Sequence, residues 1–181
     1  MYRSIYEVRE AFQRKEKLSY LFFWGHTALK DGSIDESCLS QWWMSHFSID
    51  KVNYVCMEQY MMAEKARLFR DEAILRQILK SHDPKTMKAL GRKVKNFDEE
   101  IWKANRFDIV KRGNAAKFSQ AERLKNFLIS TGDKILVEAS PFDRIWGIGM
   151  GKNNENVENP MMWRGQNLLG FALVAVRGKL K

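Results

Sequence analysis

The chain has 181 residues, enough for one well-buried core, and its 45% hydrophobic and 29% charged residues are those of an ordinary soluble globular domain. The formal net charge of +9 favours an anionic partner such as nucleic acid, a nucleotide or a phosphorylated metabolite. No apolar run is long enough to span a membrane, and the N-terminal segment lacks the apolar core of a secretion signal. A cytoplasmic protein without a membrane partner is therefore expected.

Hydrophobic spacing and turn signals predict helices, short strands and loops in the first half of the chain. Residues 4–17 have the pattern of an amphipathic helix, and the aromatic run at 20–25 has the composition of a strand that ends at a glycine. Residues 31–53 mix turn signals with aromatic side chains and are predicted to be mostly loop with short strands. Helices are expected at about 55–69 and 71–80.

Capping residues and glycines mark the later elements. Asp83-Pro84 predicts a short helix that ends at Gly91, and Asp98 begins a helix that Gly113 interrupts. The other predicted elements are a helix at 120–130, a strand at 135–139, a polar loop at 152–158 and a last helix from Asn159-Pro160 to residue 177. The predicted fold class is α+β, a single compact, helix-rich domain over 1–181 with a few short strands.

The cysteines and histidines do not form a metal-binding pattern. Cys38 and Cys56 lack the spacing of a redox or zinc motif, and a reducing compartment favours thiols over a disulfide. His26, His46 and His82 are scattered along the chain. We therefore predict no metal and no cofactor, which disfavours a metal-dependent hydrolase.

Residues 140–151, with the sequence Ser-Pro-Phe-Asp-Arg-Ile-Trp-Gly-Ile-Gly-Met-Gly, are the most informative segment of the chain. They place a carboxylate (Asp143), a guanidinium (Arg144) and an indole (Trp146) beside three closely spaced glycines, of which Gly147 is the first. Glycines allow a backbone to approach a ligand closely, and an indole offers a flat apolar wall. The segment is either a ligand-binding loop or a surface turn capped by a core tryptophan.

The helix expected at 55–69 carries an acid and a base on an apolar face. Glu58 and Lys65 are about two turns apart, roughly 10 Å along the axis, which is too far for an assured ion pair. Burying such charges is costly unless they are paired or used, so they either find partners elsewhere or act on a substrate. That face also carries Tyr54, Met61, Met62 and Phe69, whereas Tyr60, Glu64, Arg67 and Arg70 lie on the sides or the back.

Three further residues each have a functional and a structural interpretation. Trp102 is either a core side chain or a platform for a base, and Arg92 at the end of its helix is a plausible phosphate contact. Asn167 could bind a ribose hydroxyl or satisfy neighbouring backbone groups.

Several ordered motifs together resemble the YbiA-like family, also called NADAR. They cover nearly the whole chain: Tyr-Leu-Phe-Phe-Trp-Gly-His from residue 20, Glu-Gln-Tyr-Met-Met-Ala-Glu-Lys-Ala from 58, Leu-Gly-Arg-Lys-Val from 90, Leu-Val-Glu-Ala-Ser-Pro-Phe-Asp-Arg-Ile-Trp-Gly from 136 and Trp-Arg-Gly-Gln-Asn-Leu-Leu-Gly from 163. The resemblance implies a single α+β domain and hydrolysis of N-glycosidic bonds. It implies two substrate classes: ADP-ribose attached to guanine in nucleic acid, and ribosylamino-pyrimidine phosphates of riboflavin synthesis.

The resemblance also implies the site residues. We carry over Glu58, Asp143 and Lys65 as catalytic candidates, with Glu58 facing the ribose as it becomes cationic. The predicted substrate-binding residues are Trp102, Trp146, Asn167, Arg92, Gly147, Phe23 and Gly25.

The surplus of lysine and arginine favours ADP-ribosylated guanine in nucleic acid as the partner, with the phosphorylated ribosylamino metabolite as the alternative. A module that only binds ADP-ribose or nucleic acid is a third interpretation. For Lys65, a cationic role and a Schiff-base role both remain open.

Overall fold

Seven α-helices and four short strands form within residues 2–181, the part of the chain that the computed structural model describes. This content confirms the predicted α+β class. The helices are α1 (Ile5–Gln13), α2 (Met57–Leu68), α3 (Glu72–Lys80), α4 (Pro84–Gly91), α5 (Glu99–Ser119), α6 (Glu122–Ser130) and α7 (Leu168–Leu180). The strands are β1 (Tyr20–Phe23), β2 (Met44–Ile49), β3 (Val52–Cys56) and β4 (Ile135–Glu138), and short 3-10 helices form at Glu36–Leu39 and Pro160–Met162.

The described residues divide into two compact units, and the chain passes from the first to the second and back. The first unit comprises residues 2–40 and 123–181, and the second comprises 41–122. In the first, β1 pairs in parallel with β4, and α7 packs against β4. In the second, β2 and β3 form an antiparallel hairpin, and α2 packs against α3, α4 and α5. The prediction of one domain over 1–181 stays a prediction.

Aspartate caps begin three consecutive helices of the second unit. The carboxylates of Asp71, Asp83 and Asp98 accept hydrogen bonds from backbone N–H groups in the first turns of α3, α4 and α5. Each cap satisfies donors that the helix itself cannot pair. The predicted starts of these helices are confirmed. None of the helices in the described residues is long and apolar enough to cross a membrane.

The hairpin β2–β3 occupies much of the segment that was expected to be mostly loop. Its tight turn is Asp50-Lys51, whose φ angles are 51° and 65°. Hairpin turns with two positive φ angles usually contain glycine, so the sequence gives no turn signal here. Arg112 holds the turn through an ion pair of 2.7 Å with Asp50. Residue 55 consequently belongs to β3, and α2 begins two residues later than expected.

Helix α5 is continuous, which corrects the predicted interruption at Gly113. The glycine is buried inside the helix, and a Cβ at this position would collide with the side chains of Tyr60 and Met57 on α2. Glycine therefore serves close helix packing here rather than chain termination.

The last helix starts nine residues later than expected, because Pro160 opens only a short 3-10 turn. Segment 164–169 instead gives its backbone N–H groups to the carbonyls of loop 144–148. Arg164 donates to Ile148 at 2.9 Å, and Asn167 donates to Gly147 at 3.1 Å. These bonds hold the loop in place and delay α7 until residue 168.

The first helix is shorter than the predicted range of 4–17. Ser4 caps it by accepting a hydrogen bond from the backbone N–H of Glu7. It ends at Gln13, because Lys15 adopts a left-handed backbone with a φ of 59°. The strands predicted at 20–25 and 135–139 are confirmed as β1 and β4.

Candidate functional site

Helix α2, which carries the predicted acid and base, is buried on almost every side. Its buried residues include Glu58, Gln59 and Tyr60. Tyr60 was expected on the side or back of the helix, but it is fully enclosed between β2, β3 and α5. A helix enclosed by neighbours on several faces has no single apolar face, so the two-face interpretation was too simple.

Glu58 is held in the interior of the second unit. Its side chain is only 3% exposed, and its position in the first turn of α2 favours a negative charge through the helix dipole. The indole Nε1–H of Trp42 donates to Glu58 Oε2 at 3.1 Å, and the backbone N–H of Glu58 donates to the carbonyl of Gln41 at 2.9 Å. Glu58 therefore points into the protein interior and not into bulk solvent.

Trp42 therefore orients the candidate carboxylate, and its own ring lies 5.8 Å from the Nζ of Lys88. We predict that Trp42→Phe lowers kcat by at least about tenfold, because a hydrogen bond to a charged group contributes about 1.5–3 kcal/mol. Trp43→Phe, which alters the adjacent indole, is the matched control. Comparing kcat with KM for both variants checks the prediction, which is contradicted if only the control loses activity.

Lys65 lies at the other end of α2 beside two aromatic rings. Its Nζ is 4.0 Å from the centroid of the Phe97 ring and 5.7 Å from that of Trp102. Burial lowers the pKa of Lys65, Glu99 opposes this change, and the charge of Arg92 adds to it. The half-buried ammonium thus rests on an aromatic surface within the field of one acid and one base.

The other two predicted residues of the second unit lie around this ammonium. Trp102 is buried on α5 and faces Lys65 with its ring. It is therefore a core side chain that also forms part of the aromatic surface under the Lys65 ammonium. Arg92 caps the C-terminal end of α4 and is exposed. Phe97, which was not among the predicted site residues, makes the closer ring contact with Lys65.

In the first unit, Asp143 forms the turn that begins the glycine-containing loop. Its Oδ1 accepts hydrogen bonds from the backbone N–H groups of Ile145 and Trp146, each at 2.8 Å. Its carbonyl accepts from Gly149 at 2.9 Å. Asp143 therefore shapes the loop, and its predicted contact with substrate stays a prediction.

Trp146 and Gly147 lie in the packed part of this loop. Trp146 is buried, and a Cβ on Gly147 would lie 2.8 Å from the carbonyl oxygen of Glu138. The close approach that the glycine permits is thus to the protein's own backbone. The contact of Trp146 with a ligand stays a prediction.

Asn167 ties the loop segment to β4 through its side chain. It is completely buried, its Oδ1 accepts from the N–H of Glu138 at 3.0 Å, and its Nδ2 donates to the carbonyl of Leu136 at 2.9 Å. Of the two roles considered for Asn167, the structure favours the satisfaction of backbone groups.

The aromatic run before the first loop divides into buried and exposed parts. Phe23 is in the core at the end of β1, and Gly25 is exposed with a φ of 95°. Trp24 and Phe142, which were not among the predicted site residues, expose large aromatic surfaces. The centroids of their rings are 6.4 Å apart. Phe23 is therefore placed to support this surface rather than to form it.

In the second unit, Lys65, Trp102 and Arg92 thus lie near one another, whereas Glu58 lies at the opposite end of α2. Asp143, Trp146, Gly147 and Asn167 form the loop framework of the first. Sequence reasoning missed Trp42, because no local pattern connects two residues sixteen positions apart. Cys38 and Cys56 are buried thiols, and the described residues contain no group of three or more His, Cys, Asp or Glu side chains that could hold a metal ion.

The NADAR domain model matches residues 22–181 of the chain. The chain belongs to the NADAR family. It is 40% identical over 163 residues to the N-glycosidase R617 of Acanthamoeba polyphaga mimivirus, an alignment that covers 87% of this chain and 94% of the viral protein. It is 43% identical over 131 residues to the protein irg-1 of Caenorhabditis elegans, covering 71% of this chain and 62% of that protein.

A plant relative and a solved structure extend the comparison. The chloroplastic riboflavin biosynthesis protein PYRR of Zea mays is 32% identical over 111 residues, which are 59% of this chain and 16% of the plant protein. An NMR structure of the Escherichia coli protein YbiA matches with a TM-score of 0.71 at 23% identity, covering 90% of this chain and 84% of YbiA, and shows a shared NADAR fold. The relatives named as N-glycosidases support a hydrolase that acts on N-glycosyl bonds.

Proposed function

We propose that this NADAR protein is an N-glycosidase that removes ADP-ribose from guanine in nucleic acid, with Glu58 as its catalytic carboxylate. The observation that carries the proposal is the buried Glu58 in the first turn of α2, oriented by the indole of Trp42. A fixed and desolvated carboxylate is suited to stabilise a positive charge that develops on a substrate.

Cleavage of an N-glycosidic bond develops a positive charge on the ribose, which a nearby carboxylate can stabilise. When the bond from the anomeric carbon to nitrogen breaks, its electron pair leaves with the base, and the ribose becomes cationic. Water adds to that carbon and gives its proton to Glu58. Glu58 then releases this proton, which neutralises the departing base and restores the carboxylate. A charge pair at about 4 Å in a partly screened site contributes on the order of 4 kcal/mol, or about three decades of rate.

Lys65 acts in this proposal as a cation that holds a phosphate or the departing base. The rings of Phe97 and Trp102 stabilise an ammonium more than a neutral amine, which supports the cationic role over the Schiff-base route. The exposed guanidinium of Arg92 adds a second positive group on the same side.

We predict that Lys65→Arg keeps activity within about tenfold of the wild-type protein, because arginine preserves the charge but cannot form an imine. Burial lowers the pKa of Lys65, so wild-type activity should fall at a pH below the ordinary lysine value of about 10.4. The arginine variant should stay active through that range. Measured pH–rate profiles, with borohydride trapping, check both points; an adduct on Lys65 during turnover contradicts the cationic role.

The choice of nucleic acid as the substrate rests on charge. A net charge of +9 exceeds what one phosphate ester requires, and phosphate contacts make binding dependent on salt. We expect kcat/KM on an ADP-ribosylated oligonucleotide to fall about tenfold between about 50 and 200 mM salt, which corresponds to about two phosphate contacts. Release of ADP-ribose, measured by chromatography, is the readout.

A second candidate substrate is the ribosylamino-pyrimidine phosphate, because the Zea mays relative is named a riboflavin biosynthesis protein. Both substrates should be assayed side by side at matched salt. Turnover of the pyrimidine alone, or a flat salt response, contradicts the nucleic-acid assignment. Binding of the ribosylated oligonucleotide without any product identifies the non-catalytic module instead.

A further inference from the structure

The first unit contains a cavity of about 830 Å³ between the region of α1, the start of β4 and α7. This volume is in the range of small-molecule sites. Within residues 2–181, none of the predicted site residues lines it. Charged groups dominate the walls, among them Arg14 and Lys17 at the end of α1, Asp133 and Lys134 before β4, and Arg177 on α7.

Arg177 is the unusual group in this cavity, because its guanidinium is buried without a carboxylate. The residue is 3% exposed, and its Nη1 donates to the hydroxyl of Thr131 at 2.7 Å. That hydroxyl is neutral and itself donates to the carbonyl of Leu128. Within the described chain, Arg177 Nε has no hydrogen-bond partner. Burial lowers the pKa of Arg177, and only Asp133 opposes the change.

The acids around the cavity are already engaged by other groups. Glu16 accepts from Tyr2 and Arg14, Glu7 accepts from the backbone of Arg3, and Asp133 pairs with Lys181 at 3.2 Å. Glu10 lies 3.9 Å from Arg14. By contrast, three lining cations have no carboxylate partner among residues 2–181: Lys17, Lys134 and Arg177. Within residues 2–181, Glu7 also has no cationic partner, and Glu10 and Glu16 share Arg14, so the lining as a whole is close to neutral. Arg177 is the buried cation of the lining that lacks a counter-charge.

We infer that this cavity binds the phosphoryl group of a small phosphorylated molecule, which supplies the missing counter-charge of Arg177. A guanidinium presents several N–H donors that match phosphate oxygens, and two exposed lysines at the rim suit the remaining charge. A concave site with a buried guanidinium fits a small ligand better than an extended polymer. The inference does not depend on the proposed glycosidase activity.

Titration of the full-length protein with inorganic pyrophosphate, at constant ionic strength set with potassium chloride, tests the site by calorimetry. We expect saturable binding that is weakened at least tenfold in Lys17→Gln/Lys134→Gln, because two charged donors are lost. The matched control is Lys152→Gln/Lys179→Gln, which removes two exposed charges of the same unit that lie outside the cavity. Its affinity should stay within about twofold of wild type.

Arg177→Met provides the second measurement. Replacing a buried, uncompensated charge with an apolar side chain is often neutral or stabilising, so the variant should fold. Pyrophosphate should raise the Tm of the wild-type protein and leave that of Arg177→Met unchanged.

Three results would overturn the inference: no saturable pyrophosphate binding, equal binding by the Lys17/Lys134 double variant, or equal stabilisation of Arg177→Met. Binding of a single-stranded oligonucleotide that the double variant weakens, without binding of pyrophosphate, would overturn the small-ligand assignment. The lysine variants are exposed substitutions, so they decide the question even if Arg177→Met does not fold.

Discussion

Glu58→Gln is expected to lower kcat by at least about a hundredfold while the protein stays folded. Glutamine has the same shape, and its carbonyl oxygen can still accept the hydrogen bond of Trp42. What disappears is the negative charge that stabilises a cationic ribose, a contribution on the order of 4 kcal/mol at about 4 Å. Turnover of ribosylated substrate, with unfolding followed by circular dichroism, measures both effects.

Glu64→Gln is the matched control, because Glu64 lies on the same helix and pairs with Arg67 at its surface. Its loss should change activity less than threefold, since partly exposed ion pairs contribute little. If Glu58→Gln also retains more than a third of the wild-type rate, the assignment of the carboxylate is wrong. The Glu58 variant should be no less stable than wild type, because an uncharged amide is cheaper to bury.

Asn167→Ala is expected to lower the free energy of unfolding by about 3 kcal/mol or more. It leaves the N–H of Glu138 and the carbonyl of Leu136 without partners, each at about 1–3 kcal/mol. Alanine also adopts the positive φ of 54° less readily than asparagine, at about 1 kcal/mol. Denaturant unfolding is the measurement.

Asn167→Gly separates the two contributions, because glycine tolerates the left-handed backbone but cannot make the hydrogen bonds. Asn167→Gly should therefore be less destabilised than Asn167→Ala. The difference between the two variants measures the cost of the positive φ angle. A full-stability Asn167→Ala with a raised KM would instead show that Asn167 contacts substrate, as the resemblance implied.

The parts of the fold that depend on residues close together in the sequence could be predicted from the sequence. The starts of α3, α4 and α5 follow from aspartates whose carboxylates reach the next turn. Two errors have long-range causes. The delayed start of α7 depends on backbone bonds to a loop about twenty residues away, and the continuity of α5 depends on packing of Gly113 against α2.

In the candidate site, too, local features could be predicted from the sequence and long-range contacts could not. An acid and a base on one helix could be recognised from their spacing, and their burial agrees with that hypothesis. The partners of those groups could not be found in this way: Trp42 reaches Glu58 from the segment before β2, and Phe97 reaches Lys65 from the segment before α5. Asn167 shows the converse error, because a motif residue can be required for architecture alone.

Gly113 has a consequence for residues that it does not touch. It marks a close approach of α5 to α2, and Trp102 lies eleven residues away, about three turns, on the same side of α5. The contact at Gly113 therefore sets how closely α5 packs against α2. A larger side chain there would collide with Tyr60 and Met57 and so push α5 away from α2, which would move the indole of Trp102 relative to Lys65.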